Sequence, residues 1–328
     1  MKKIAGSILI AVSVVFLLMG SAAGSPPRKI LYVASYHTGK GEWSAGIKSG
    51  IDSVLHQRKD ILFRFMNMDT RLAKSEAVKK AAALRAKDLI DSWNPDVVIT
   101  SDDNAAKYLI MPYYKNAALP FVFCGINWDA SVYGLPYENV TGMIEVQLIR
   151  SIVDFLSPFS RGNRLGSLRG DTLSNRKEQD NFDTVLKTKM DARYVKTLED
   201  WKKEFIQMQD QVDILVLGSI RALDTKEASM EEIERFILTN TRIPTAAYDA
   251  FMQNIVLVTL STIPEEQGEW AAEKALEILD GKSPRDIPLV TNKKANMFLN
   301  MRLARILGIK FPMEMIEMSR LVDSEKKD

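Results

Sequence analysis

Cysteine and histidine are nearly absent from this chain of 328 residues: there is one cysteine, Cys124, and there are two histidines, His37 and His56. A disulfide within the chain is therefore impossible. A metal site built from histidine and cysteine is excluded as well. Cys124 lies in an apolar run, Phe121-Val122-Phe123-Cys124, and reads as a small buried hydrophobe rather than a reactive thiol. There is no Gly-x-Ser-x-Gly turn, no phosphate-cradling glycine-rich loop and no dinucleotide fingerprint. Asp102-Asp103 offers two carboxylates, but adjacent side chains at a helix start diverge. The chain does not read as an enzyme, and no catalytic residue, metal or cofactor is expected. A surplus of charge is also missing. The formal net charge is +2, and Lys2 and Lys3 lie in a stretch, residues 1–24, that holds no acid. The remainder is close to neutral, which gives no electrostatic reason to expect nucleic acid or an anionic membrane surface as partner.

What is present begins with an export signal. Met1-Lys2-Lys3 is a basic start, and Ile4 to Met19 is apolar apart from Gly6, Ser7 and Ser13. Gly20-Ser21-Ala22-Ala23-Gly24 supplies small residues for cleavage. The apolar run is shorter than the ~20 residues of a spanning helix. Residues 1–24 are expected to be a cleaved signal peptide, with the mature chain beginning between Ala22 and Pro26 outside the cytoplasmic membrane. No cysteine stands near the cleavage site to carry a lipid.

From Ile30 onward, short apolar runs alternate with segments of helical periodicity. Ile30–Ala34, Ile61–Met66, Asp96–Thr100 and Phe121–Cys124 read as buried strands. Trp43–His56 and the alanine-rich Lys74–Trp93 read as helices. A second series starts after Gly142. Its strands are expected at Arg164–Leu168, Ala192–Val195, Ile214–Gly218, Ile243–Tyr248 and Ile255–Leu260. Its helices are expected at Leu148–Phe155, Arg176–Met190, Leu198–Asp210, Met230–Leu238 and Glu265–Leu279. Two series of βα units imply an α/β protein of two Rossmann-like lobes, each with a parallel sheet and right-handed crossovers. The absence of a low-complexity linker points to a hinge of several short crossings, placed near Thr141, Tyr248 and Ile287. The expected division is 25–141 and 254–281 for lobe 1, 142–253 and 282–322 for lobe 2, and a charged, disordered tail at 323–328.

Several blocks, in order, resemble the substrate-binding proteins of ABC transporters that have the type I periplasmic-binding fold. They are Asn94-Pro95-Asp96 through Ala105-Ala106, Pro120–Gly125 and Asn139-Val140-Thr141-Gly142. Gly281-Lys282-Ser283-Pro284 with Ile287-Pro288 follows, and then Asn300, Ala304, Leu307-Gly308-Ile309 and Pro312. The resemblance implies reversible capture of a small molecule between two lobes for delivery to a membrane permease, by a monomer. The start of the chain, Ser35-Tyr36-His37 with Trp43, is more similar to extracellular sensory domains of the same fold. It implies the alternative of a ligand-sensing protein that docks on a sensor kinase or other receptor.

A two-lobed binder holds its ligand at the carboxyl ends of its strands, so candidate contacts follow strands. In the first lobe these are Tyr36 and His37, Trp43, then Ser101, Asp102, Asp103 and Asn104. The oxygens of those last four residues suit the free N–H groups of a helix start. After the next strand come Gly125 and Asn127, for close backbone approach, and Trp128 as a lid. In the second lobe they are Arg169 and Asp171 in a post-strand turn, Ser219, Tyr248 and Asp249. Aromatic faces beside carboxylates and an arginine suggest an amino-acid-like ligand with an apolar or aromatic body.

Overall fold

The computed structural model describes residues 26–39, 42–223 and 229–322. The expected leader and tail lie outside them. The first series folds as expected into β1 (Arg28–Ala34), β2 (Ile61–Asn67), β3 (Val97–Ser101) and β4 (Phe121–Asn127), and adds a fifth strand beyond those expected, β5 (Val140–Glu145). The second gives β6 (Leu165–Gly170), β7 (Asp191–Val195), β8 (Ile214–Leu217), β9 (Thr245–Ala247) and β10 (Val258–Thr262). Three further strands close the chain: β11 (Val290–Thr291), β12 (Ala295–Asn300) and β13 (Ser319–Val322).

These strands form two sheets. The six-stranded one runs β11-β5-β4-β3-β1-β2, and every pairing in it is parallel. The seven-stranded one runs β13-β12-β10-β9-β8-β6-β7 and is parallel except where β12 meets β10. Helices cover both faces of the first sheet, so its central strands β1, β3 and β4 are buried on both sides. Leu31 and Val33 of β1 enter one apolar cluster, while Ile30, Tyr32 and Ala34 enter the other. That explains why the strands read as unbroken apolar runs instead of alternating ones.

The lobe boundaries differ from those expected. Val258–Thr262 pairs with β9 and β12, so the chain up to Thr262 belongs to the second sheet. Residues 142–145 complete β5, and Val290–Thr291 pairs with it, so both belong to the first. The chain therefore crosses at 146–148, at Ile263 and at 292–294, not at Thr141, Tyr248 and Ile287. The crossings are knitted by side chains. Asn292 accepts from the Val146 amide at 2.8 Å and donates to the Val146 carbonyl at 3.0 Å. Glu266, at the start of the helix Pro264–Leu279, accepts from the amides of Lys293 (3.0 Å) and Lys294 (2.8 Å). Gln267 reaches back to the Gly125 amide at 2.9 Å.

The helix Pro264–Leu279 holds these groups in place by packing directly on the helix Glu42–Leu55. Glycines permit the approach: a Cβ on Gly268 would stand 1.9 Å from the Ile47 carbonyl oxygen, and one on Gly50 2.2 Å from that of Glu265. Alanine favours a helix interior over glycine by about 1 kcal/mol. Steric overlap with backbone outweighs this. Gly268→Ala is expected to lose about 2 kcal/mol or more in urea unfolding, within the range seen for overpacked cores. Wild-type stability would show that the two helices can separate freely.

Candidate functional site

The carboxyl ends of β3 and β4 bring the acidic turn and the glycine turn together. Asp102 takes a positive φ of 65°, which lets the backbone turn sharply from β3 into the helix Asp102–Ala105. The expected capping by this turn's own oxygens does not occur. Ser35, after β1, supplies the cap instead: its Oγ accepts from the Ala105 amide at 2.8 Å and donates to the Ser101 carbonyl at 2.6 Å. Ser101 is fully buried, bonded to the Tyr32 hydroxyl (2.9 Å) and to Asp102 Oδ2 (2.9 Å). Asn104 donates to Thr70 Oγ1 at 2.9 Å. Gly125, at φ 69° inside a β-bulge, lets β4 pass close to Asp102. Asp103 accepts from Asn127 Nδ2 (2.7 Å) and from the Tyr133 hydroxyl (2.8 Å), which lays Tyr133 along the same edge.

Between the sheets lies a cleft of about 710 Å³. Asp103, Asn127, Trp128 and Tyr133 line it from the first lobe, and Ser174, Lys177, Asp180 and Asn181 of the helix Leu173–Leu186 from the second. Trp128 is anchored to the first crossing: its amide donates to the Glu145 carbonyl at 2.9 Å and its indole N–H to Gln147 Oε1 at 2.6 Å. Acids crowd the first-lobe edge of the cleft. Burial, with a contribution from Asp103, pushes the Asp102 carboxyl up to about 7; hydrogen bonds from Ser101 and Trp43 and the charge of Arg71 oppose it. The Trp43 indole N–H is buried, points to this carboxyl and closes no full hydrogen bond. Burial and the same two aspartates raise the Tyr36 hydroxyl. Glu145 is pushed well above the usual carboxylate range by burial first, then by Asp102, Asp103 and Glu178.

Other candidates stand elsewhere. Arg169 is not in a loop: β6 runs on to Gly170, and the side chain is wholly buried under the helix Leu173–Leu186. Its Nη1 donates to Glu178 and, at 3.2 Å, to the Tyr248 hydroxyl, and its Nε donates to Gln179 at 3.0 Å. Tyr248 also donates to Glu178. Arg169 is thus committed to an internal ion pair. Asp171 is taken by Arg176 at 2.7 Å. Asp249 caps the turn Ala250–Met252. His37 pairs with Asp69 at 2.9 Å in a separate surface depression shared with Arg71 and Leu72. Ser219 follows β8, half-buried, outside the cleft lining. Sequence reasoning missed Glu145, Gln147, Gln267 and Asn292. Among the described residues, no group of three or more histidine, cysteine or acidic side chains is arranged to hold a metal.

Residues 185–322 match the family model described as ABC transporter substrate binding protein. The whole fold has solved counterparts. A ligand-free, open substrate binding protein with adhesive properties from Clostridium difficile superposes at a TM-score of 0.68, with 16% identity, over 91% of this chain and 100% of that one. The chain is similar to ABC transporter substrate-binding proteins and has their type I periplasmic-binding fold. An ABC domain from Streptococcus pneumonia in complex with L-Trp matches at 0.52, with 16% identity, over 90% of this chain and 100% of that one. An ABC transporter substrate-binding protein from Desulfitobacterium hafniense in complex with Leu matches at 0.54, with 12% identity, over 79% and 85%. No curated protein sequence matches the chain. In this fold the two sheets direct their strand ends at one cleft, which is where Asp103, Asn127 and Trp128 lie. Among the described residues, no helix is long and apolar enough to cross a membrane.

Proposed function

We propose that the protein is an extracytoplasmic solute-binding protein. It captures a small amino-acid-like molecule between its lobes and presents the closed form to the permease of an ABC transporter. The observation that carries this reading is the composition of the cleft. Two aromatic rings, Trp128 and Tyr133, and the hydrogen-bonded Asp103–Asn127 pair face polar side chains of the opposite lobe across a volume suited to a small molecule. Aromatic faces bury and orient an apolar body. The complexes of similar folds with L-Trp and Leu support the same ligand class. Three short crossings beside one another suit hinge bending, and the hydrogen bonds of Asn292 and Glu266 limit motion in other directions.

Thermal shift with amino acids, nucleobases, small carboxylates and myo-inositol tests the reading, because a ligand of the folded state raises Tm by mass action. A solute at 100 times its Kd is expected to add about 2.7 kcal/mol of stability. Small-angle scattering with that solute should show a smaller radius of gyration. An unchanged radius with a solute of proven affinity would overturn the closure of the lobes.

A further inference from the structure

Glu145 closes β5 at the point where the chain first leaves one lobe for the other. In register it stands beside Asn127, a residue of the cleft lining. Among the described residues its carboxyl has no hydrogen-bond or ion-pair partner, although its backbone carbonyl holds Trp128. Part of its surface remains open. The charges that act on it are those of Asp102 and Asp103 from the β3 edge and Glu178 from the lobe-2 helix. Tyr36 lies in the same field. Among the described residues, no cation forms an ion pair with it. Arg169 is held by Glu178, and Arg71 acts on Tyr36 and Asp102 but forms no pair with either. Glu145 is thus a half-buried carboxyl with no bonding partner among the described residues, one strand over from the cleft lining, and its acceptor oxygens are available to a donor from a solute.

We propose that Glu145 receives the positively charged head of the ligand, so that the solute taken is an amine. The inference rests on the solute-binding reading above and narrows it. In the empty protein burial, then the neighbouring acids Asp102, Asp103 and Glu178, push the Glu145 carboxyl well above the usual carboxylate range and so favour its protonated form. An incoming ammonium group supplies the missing counter-charge, the carboxyl ionises against it, and one proton leaves to solvent. Trp128, fixed by Glu145 and Gln147, lies beside the head group and packs on the body of the molecule.

Isothermal titration with L-tryptophan, L-leucine, tryptamine, indole-3-propionate and myo-inositol tests this on the wild type and on Glu145→Gln. Each titration is run in buffers of different ionisation enthalpy. The amines are expected to bind and to release up to one proton, and indole-3-propionate, which lacks the amine, is expected not to. Tryptophan binding without tryptamine binding would assign a zwitterion; binding of both would assign the amine alone as sufficient. Affinity for the amine should rise with pH by up to tenfold per unit while Glu145 titrates, since the proton competes with the ligand. Glu145→Gln should weaken amine binding tenfold or more and abolish proton release, with an unchanged circular dichroism spectrum. Wild-type amine affinity in that variant overturns the proposal. Binding of myo-inositol or indole-3-propionate without any amine also overturns it, while leaving the solute-binding reading in place. Failure of every solute in the panel overturns both.

Discussion

Arg169→Ala is expected to destabilise the protein by roughly 3–5 kcal/mol, the cost typical of breaking one side of a buried ion pair. Arg169 is fully buried and Glu178 nearly so. Removing the guanidinium leaves the Glu178 carboxylate with the Tyr248 hydroxyl as its remaining donor among these groups. It also removes the cation from the face of Phe182, 4.5 Å from the ring centroid. Arg169→Met with Glu178→Gln should recover most of the loss, because neither charge then remains buried alone and the volume is kept. Urea unfolding of the three proteins gives the answer. If Arg169→Ala falls within about 1 kcal/mol of wild type, the ion pair is not a fixture of the second lobe, and a direct role for Arg169 toward a ligand carboxylate returns to consideration. Its buried Nη2 has no hydrogen-bond partner among the described residues.

The role of Arg169 shows where sequence reading reached its limit. The apolar run Arg164–Leu168 predicts a strand, but periodicity cannot say that Arg169 and Gly170 continue it. Two residues decide whether the guanidinium hangs in a loop or lies under a helix, and Glu178 nine positions on is what makes burial tolerable. The parallel strands were legible because burial on both faces writes itself as continuous apolar runs, as in Val97–Ser101 and Phe121–Cys124. β12 and β13 were not, because Ala295–Asn300 mixes polar and apolar residues and Ser319–Val322 is largely open to solvent. The lobe boundaries failed for a related reason. A crossing of one to three residues has no composition of its own, and only the pairing of Val258–Thr262 with β12 assigns that strand to the second sheet.

The candidate site was legible in its turns and not in its partnerships. Asp103, Asn127 and Trp128 stand at or just beyond the carboxyl ends of β3 and β4, as the rule for open sheets requires, and all three line the cleft. Ser101 and Asp102 follow a strand too, yet they face inward, because Ser35 and Tyr32 from β1 and its loop draw them into the core. Glu145 escaped notice because a glutamate in Glu145-Val146-Gln147 looks like any polar exit. Its environment exists only once β4 and β5 align.

Asp102→Asn is expected to stabilise the protein at high pH and to change little at low pH. In the unfolded chain an aspartate ionises near its ordinary value of 3.8, whereas in the folded protein burial holds the Asp102 proton up to about 7. Below about pH 4 both states are protonated and the residue contributes no difference. Between about 4 and 7 the folded state keeps a proton that the unfolded state has lost, so rising pH costs the wild type about 1.4 kcal/mol per unit. The stability lost across this interval is on the order of 4 kcal/mol, and above about 7 the loss is complete. Asparagine carries no titrating proton, can still accept from Ser101, and tolerates the positive φ of 65° at this position. The variant should therefore gain on wild type progressively from pH 4.5 to pH 8 in urea unfolding, and the gap should stay constant above that. Other acids, Glu145 among them, shift the absolute curves of both proteins, so the difference between the two is the quantity to read. A difference independent of pH would mean that Asp102 is ionised throughout, and the acids of the cleft would then have to be neutralised by some group other than their own protons.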